Sequence, residues 1–183
     1  QDYKIKKNLN IVCFNNQLLG NGMLIPAGPL RESVESLKSA HIIIINGDQN
    51  IDFEKKLFQI NNEISIFYSR YQLIDIEKYR GKKLFVVAGI GNPENFFELI
   101  RSQNLNIIKK LSFPDHYQFS KSEILNIIND ARKNGYQVVM TEKDYHRVKD
   151  YNFTEIHYIK VKLEITEKKE FLNKVLTVYD KKN

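Results

Sequence analysis

The sequence contains a single cysteine, Cys13, so no internal disulfide can form. Proteins of reducing compartments generally lack disulfides, and this composition fits such a compartment. No apolar run approaches the roughly 20 residues of a membrane-spanning helix. No segment has the pattern of a signal peptide either. We therefore expect a globular chain without a transmembrane segment.

A P-loop is also missing from the sequence. The pattern requires a glycine, four residues, Gly-Lys and then serine or threonine, and its backbone N–H groups bind nucleotide phosphates. The segment that ends in Gly81-Lys82 has Ile76 in the place of the first glycine. Three histidines, His41, His146 and His157, have no second ligand at metal-binding spacing. We predict structural roles for them and no metal site.

Charge is plentiful, with 28 lysine and arginine residues against 22 aspartate and glutamate residues and a net charge of +6. An anionic partner such as phosphate, nucleic acid or acidic lipid would suit this excess. The two signs are interspersed along the chain, however, and ordinary surface solvation is the alternative. No RNP-like aromatic pattern or helix-turn-helix is present, so no nucleic-acid partner is predicted.

Apolar runs alternate with amphipathic segments along the whole chain. Strands are predicted at residues 9–14, 41–45, 63–68, 84–88, 105–111, 136–140 and 155–161. Helices are predicted at residues 33–40 and 52–58, from Pro93 onward, between Ser120 and Gly135, and at 166–179. Alternation of this kind is typical of an α/β fold with a mainly parallel sheet.

A polar segment at residues 71–83 is predicted to be a connector, and it divides the chain into domains at 1–82 and 83–183. In the last helix, the apolar residues are expected to face inward. They are Phe171, Leu172, Val175 and Leu176.

The stretch from residue 84 to residue 120 combines a buried strand, a Gly-Ile-Gly turn and a helix that begins at Asn92 and Pro93. Asparagine is a favourable N-cap, and proline suits the first helical position. The turn at Gly89 and Gly91 has two interpretations. It is a tight strand-to-helix connection, or its N–H groups bind an anion.

Two polar segments follow later predicted strands, at the sheet edge where α/β proteins bind ligands. His116 is either a loop residue held by Asp115 or a functional imidazole. The segment Thr141-Glu-Lys-Asp144 is either part of a ligand site or the N-cap of a short helix.

A glycine-rich loop at residues 15–29 is too long for a simple connector and is expected to line a site. Asn21, Arg31 and Glu32 flank it. The Arg-Glu pair by itself is more typical of a surface ion pair.

Five segments, taken in order, resemble the tetraacyldisaccharide 4′-kinase family. They are residues 20–32 (GNGMLIPAGPLRE), 44–47 (IING), 88–97 (AGIGNPENFF), 113–116 (FPDH) and 140–144 (MTEKD). The resemblance implies an ATP- and Mg²⁺-dependent kinase of Gram-negative bacteria that phosphorylates tetraacyldisaccharide 1-phosphate, the lipid A precursor. It also implies a P-loop domain, a smaller Rossmann-like domain and a peripheral location at the cytoplasmic face of the inner membrane.

The resemblance further implies roles for particular residues. His116, with Asp115, resembles the histidine that assists a catalytic aspartate. Glu32 resembles a residue near the lipid, with Asn21 and Arg31 as further substrate contacts. The residues implied as nucleotide or anion contacts are Gly89, Gly91, Asn92, Lys143 and Asp144.

In the family, the P-loop half precedes the segments matched here. The resemblance therefore implies that this chain is the carboxyl-terminal part of the kinase, inactive unless the P-loop half is supplied, whether or not as a separate chain. ATP and Mg²⁺ would be bound by the complete enzyme. The alternative is a non-catalytic Rossmann-like module that binds an anion, or a gene remnant.

Overall fold

The computed structural model describes residues 7–180, with side chains described as far as residue 177. It divides into two compact units. The first contains the described residues up to Arg70 together with those from Leu163 onward, and the second is Tyr71–Lys162. Strands and helices alternate in both, and every described strand pairing within a unit is parallel, which confirms the predicted α/β class.

The first unit is built on strands β1 (Ile11–Phe14), β2 (Ile42–Asn46) and the first part of β3 (Ser65–Ile74), in that order. Strand β2 lies in the middle, with a parallel neighbour on each side, and its four isoleucines are buried because each face of the strand is packed in a core cluster. A 3₁₀ helix at Val34–Ser39 and helix α1 (Ile51–Ile60) pack against the strands.

The second unit has strands β4 (Lys83–Ala88), β5 (Asn106–Ser112) and β6 (Gln137–Thr141), and the first part of β7 (Ile156–Ile165). Their spatial order is β7-β6-β4-β5. The remaining helices of this unit are α2 (Pro93–Ser102), α3 (Lys121–Asn134) and α4 (Glu142–Val148), with 3₁₀ turns at Glu77–Tyr79 and Lys149–Tyr151.

Strand β4 is buried on both faces, as its uninterrupted apolar sequence predicts. Leu84 and Val86 pack in one core cluster with Phe97 of α2, whereas Phe85 packs in another with Ile124 of α3. Successive side chains of a strand point to opposite faces, so the two helices cover opposite sides of β4.

The predicted caps of α2 and α3 are confirmed. The Asn92 side chain accepts a hydrogen bond from the N–H of Asn95. Ser120 and Glu123 form a complete capping box at the start of α3, and Gly135 ends that helix with φ of 66° in the left-handed region. These signals lie close together in sequence, so local chemistry is enough to specify them.

The interpretation of residues 71–83 as a polar connector is wrong. Strand β3 runs on to Ile74, and Tyr79 in the following 3₁₀ turn is only 1% exposed. The ring of Tyr79 is buried in the core of the second unit, and its hydroxyl donates to the backbone carbonyl of Tyr158 at 2.8 Å. A tyrosine can be buried in this way because its one polar atom has a partner.

The compact units have different bounds from the predicted domains. The first unit ends within β3, and the described residues from Leu163 onward group with the first unit instead of the second. Phe171 of helix α5 (Lys168–Asp180) packs edge-on against Phe67, with ring centroids 5.4 Å apart. The division of the kinase into domains at residues 1–82 and 83–183 stays a prediction.

The inward side of α5 is narrower than expected. Phe171 and Val175 pack against the core of the first unit, but Leu172 is 47% exposed and Leu176 is 57% exposed. Residues four apart form one stripe of a helix, and the stripe that starts one residue later is turned away by about 100°. Within residues 7–180, no helix is both long enough and apolar enough to cross a membrane.

Candidate functional site

Three loops of the second unit bring polar side chains to one edge of the sheet. Gly89 follows β4, Pro114–His116 follow β5 by two residues, and α4 starts directly after β6. The three strands are parallel, so their carboxyl ends meet at the same edge. The structure thereby brings together Asp115, His116, Lys143 and Asp144, with the Gly89 turn beside them.

Asp144 is the centre of this arrangement and is 0% exposed. One carboxylate oxygen, Oδ2, accepts hydrogen bonds from the Gly89 N–H at 2.8 Å and the Thr141 hydroxyl at 2.6 Å. The other oxygen, Oδ1, accepts from the Arg147 guanidinium at 2.8 Å. A buried charge needs partners of this kind, because the loss of its hydration would otherwise make its burial unfavourable.

The structure confirms Thr141 as the N-cap of a short helix, whereas a ligand role for the Thr141–Asp144 segment stays a prediction. Thr141 caps α4 by accepting from the Asp144 N–H at 3.1 Å. Asp144 is not solvated, however, and it connects the helix to the turn after β4. The segment therefore begins with the N-cap Thr141, and its fourth residue, Asp144, holds the loop that contains Gly89.

Gly89 fits closely against this carboxylate. A Cβ atom at this position would lie 3.2 Å from Asp144 Oδ1 and 3.4 Å from the ring of Phe119, so a larger residue would crowd both. Its N–H already donates to Asp144 and is not open to an anion in this structure. Anion or nucleotide contacts by Gly91 and Asn92 stay predictions.

His116 stands at the exposed end of the network, with φ of 61° in the left-handed region. Its Nδ1 lies 3.1 Å from Arg147 Nη2. Lys143 Nζ lies 3.4 Å from the other ring nitrogen, Nε2. A guanidinium and an ammonium group can only donate, so each ring nitrogen faces a cationic donor, whereas a neutral imidazole has a single acceptor nitrogen. The side chain of His116 is 72% exposed and is therefore accessible to a ligand or to solvent.

Asp115 holds His116 through the backbone. Its Oδ1 accepts from the His116 N–H at 2.9 Å and from Lys143 Nζ at 3.2 Å. The hydrogen bond from Lys143 is the main cause that keeps the pKa of Asp115 below its ordinary value, with the positive charge of Lys143 and the backbone N–H of His116 adding to it. Asp115 Oδ2 is 3.7 Å from His116 Nε2, which is too long for a hydrogen bond, so Asp115 does not fix the tautomer of His116 in this structure.

Arg147 is the residue that sequence reasoning missed. It contacts Asp144, His116 and the carbonyl oxygen of Gly89, the last at 3.2 Å, and so links three loops. A signal for it exists in the sequence, because Asp144 and Arg147 are three apart on one predicted short helix and can pair there. The contacts of Arg147 with Gly89 and His116 could not be found in this way, because both residues are distant in sequence.

The remaining predicted site residues belong to the first unit. Asn21 Nδ2 donates to the Ala27 carbonyl at 2.9 Å, and its Oδ1 accepts from the Met23 N–H at 3.1 Å. Asn21 thus holds its own loop together. Arg31 is exposed and Glu32 is half-buried. Their substrate roles stay predictions.

The residues present do not fit a metal ion. No group of three histidine, cysteine, aspartate or glutamate side chains within the described part of the chain is arranged to hold one. The sequence also has no P-loop to bind the phosphates of ATP.

Fold and site define an α/β protein whose polar groups converge at the carboxyl ends of parallel strands. The family model described as LpxK, tetraacyldisaccharide-1-P 4′-kinase, matches residues 1–180. A tetraacyldisaccharide 4′-kinase of Pelagibacter ubique is 38% identical over 99% of this chain, and one of Rickettsia bellii is 35% identical over 79%. The chain belongs to the tetraacyldisaccharide-1-P 4′-kinase family.

The chain spans 59% of the Pelagibacter relative and 44% of the Rickettsia relative. A crystal structure of the "apo" form of LpxK from Aquifex aeolicus in complex with ATP has a TM-score of 0.66 to this chain. That match covers 96% of this chain and 54% of the Aquifex chain at 18% identity, and it therefore supports the fold alone.

Proposed function

We propose that this chain forms part of a kinase that transfers a phosphoryl group from ATP to the 4′-hydroxyl of tetraacyldisaccharide 1-phosphate in lipid A biosynthesis. The family match over residues 1–180 carries this proposal. The complete enzyme would bind ATP and Mg²⁺ through a P-loop half, in the same chain or a separate one, and would work at the cytoplasmic face of the inner membrane.

His116 is proposed to orient the reacting groups. A sugar hydroxyl is a poor nucleophile, so a carboxylate that accepts its proton accelerates the transfer. Arg147 lies beside Nδ1 and Lys143 beside Nε2, and on displacement of Lys143 by a ligand His116 would present Nε2–H as a hydrogen-bond donor. It can therefore hold the oxygen of a catalytic carboxylate or of the substrate hydroxyl, while the carboxylate takes the proton.

The surroundings of His116 favour an anionic reaction. Lys143 Nζ lies 3.4 Å from Nε2, and the Arg147 guanidinium lies on the other side of the ring. Fixed positive charges beside a transferring phosphoryl group stabilise the charge that develops in the transition state. Their anchors, Asp115 and Asp144, would reduce the cost of orienting them during the reaction.

A chimera tests the proposal. The matched segment of the Pelagibacter kinase is replaced by this chain, and ATP-dependent phosphorylation of tetraacyldisaccharide 1-phosphate is measured. We expect activity from the chimera and none from the isolated chain, because the latter has no P-loop. A folded chimera without activity would contradict the proposal.

The second candidate is a module that binds a phosphate group without transferring it, and the cationic pair Lys143 and Arg147 favours it. The same chimera separates the two functions. Phosphate binding by a chimera that is folded but never turns over would support the module.

A further inference from the structure

A small cavity of about 230 Å³ lies elsewhere in the second unit, between the end of β3, the Glu77–Tyr79 turn and the start of β7. It shares no residue with the His116 network. Tyr79 contributes to its wall and is fixed there by the hydrogen bond of its hydroxyl to the Tyr158 carbonyl. The rings of Tyr145 and Tyr158, with centroids 4.6 Å apart, form another part of the lining.

The cavity has an excess of positive charge. Lys78 and Lys160 line it, and neither forms an ion pair with any residue in the described part of the chain. The one carboxylate in the lining is Asp75. Lysine side chains without counter-ions that face one concavity attract an anion, and the low dielectric of the wall strengthens the attraction.

His157 adds a switchable charge to this lining. Its partial burial is the main cause that lowers its pKa, and the positive charges of Lys78 and Lys82 lower it further. The other groups around the cavity that carry or can carry charge are Asp75, Lys160 and the phenols of Tyr79, Tyr145 and Tyr158. The imidazole is therefore predominantly neutral at neutral pH, and an anion in the cavity would favour its protonated form.

We propose that this cavity binds the phosphate group of a small ligand through Lys78, Lys160 and His157. Its volume is below the roughly 300 Å³ of typical sites for drug-sized ligands, which suits a single anionic group better than a whole nucleotide. A phosphate dianion carries two negative charges and can balance the charge of two cations, whereas a carboxylate carries only one. The site is independent of the kinase function proposed above.

The proposal has a reciprocal consequence. Since protonation of His157 and phosphate binding favour each other, phosphate must raise the pKa of His157, and lower pH must tighten phosphate binding. Ordinary solvation of surface lysines would produce no such coupling with one histidine.

The test is an NMR titration of the histidine ring signals of the full chain with inorganic phosphate, at several pH values and constant ionic strength. We expect a saturable shift of the His157 signals and a rise in the pKa of His157. Lys78→Gln and Lys160→Gln should each weaken binding about fivefold, the upper range for one partly exposed charge pair. Asp75→Asn should tighten it, because a like charge is removed.

Lys133→Gln, at the exposed end of α3, is the matched control and should leave the titration unchanged. Phosphate stabilises folded proteins in general, and the comparison among variants cancels that effect. The proposal is overturned if His157 does not respond. It is equally overturned if Lys160→Gln and Lys133→Gln give the same binding curve.

Discussion

The His116 network of the second unit and the glycine-rich loop of the first are held in different ways. In the network, Asp144 bonds to Gly89 across 55 residues of sequence, and Arg147 reaches the same glycine across 58. In the loop, Asn21 bonds only to residues two and six positions away. The network therefore depends on the whole parallel sheet, whereas the part of the loop around Asn21 is held through local contacts.

This difference bears on the proposed phosphoryl transfer. Groups that stabilise a transition state must be held rigidly, and a network anchored on a buried carboxylate provides that. A loop with local bonds can change conformation without disturbing the core. Met23, Leu24 and Ile25 at its tip are exposed, and such a loop can adapt to a ligand.

The largest effect is expected for Asp144→Ala. The change leaves Arg147, the Gly89 N–H and the Thr141 hydroxyl without their shared partner, and loss of one member of a buried ion pair costs about 3–5 kcal/mol. Urea unfolding followed by circular dichroism measures this loss. Asp150→Ala, in the exposed turn after α4, is the control and should change the free energy of unfolding by less than about 0.5 kcal/mol. Equal losses of unfolding free energy for the two changes would contradict the claim that Asp144 anchors the network.

A matched pair in α5 tests how the first unit is held. Phe171→Ala should cost about 2 kcal/mol, less than for a fully buried ring, because Phe171 is half-buried against Phe67. Leu172→Ala should change the free energy of unfolding by less than about 0.5 kcal/mol, since this side chain is exposed. The same unfolding measurement applies to both variants. A larger loss for Leu172→Ala would show that the other face of the helix is the buried one.

A smaller effect concerns the pH dependence of stability. The pKa of His157 is lower in the folded chain than its usual 6.5, so the unfolded chain binds more protons once the pH falls through that value. Stability from this residue is fully present above about pH 6.5 and is lost as pH falls toward the folded pKa. His157→Gln should therefore reduce the loss of unfolding free energy between about pH 7.5 and about pH 5.5, by less than about 1 kcal/mol. An unchanged loss in the variant would contradict the assignment.

The smallest global effect is expected for Asn21→Ala. Its two hydrogen bonds are exposed and local, and their removal should cost about 0.5 kcal/mol of unfolding free energy. The loop itself should open more often, so limited proteolysis should cut faster between residues 21 and 28. Unchanged cleavage, or a loss comparable to that of Asp144→Ala, would show that the two regions are not held differently.

Sequence reasoning succeeded where the determining contacts are local. The buried β4 run, the Asn92-Pro93 start of α2 and the capping box at Ser120 each lie within a few residues, and the structure has them where they were predicted. The sequence also predicted that the loops after β4, β5 and β6 lie at the same edge of the sheet, because parallel strands end at a common edge.

Sequence reasoning failed where contacts between residues distant in sequence determine the structure. Tyr79 lies in a polar segment, and only its bond to Tyr158 reveals why it is buried. Arg147 was overlooked because its role depends on Gly89 and His116, which are distant in sequence. The apolar pattern of α5 could not show which of two adjacent stripes would pack against Phe67, since both stripes consist of large apolar residues.

The most direct test of the account is the effect of His116→Ala on the chimeric kinase, with kcat and melting temperature measured on the same preparation. We predict that kcat falls about 100-fold, the lower range for groups that assist proton transfer. The melting temperature and the KM for ATP should stay near those of the parent chimera. His146→Ala, an exposed histidine in the same helix as Arg147, is the control and should keep the parental kcat. A His116→Ala chimera with parental kcat, or one that loses only thermal stability, would contradict the claim that this network serves phosphoryl transfer.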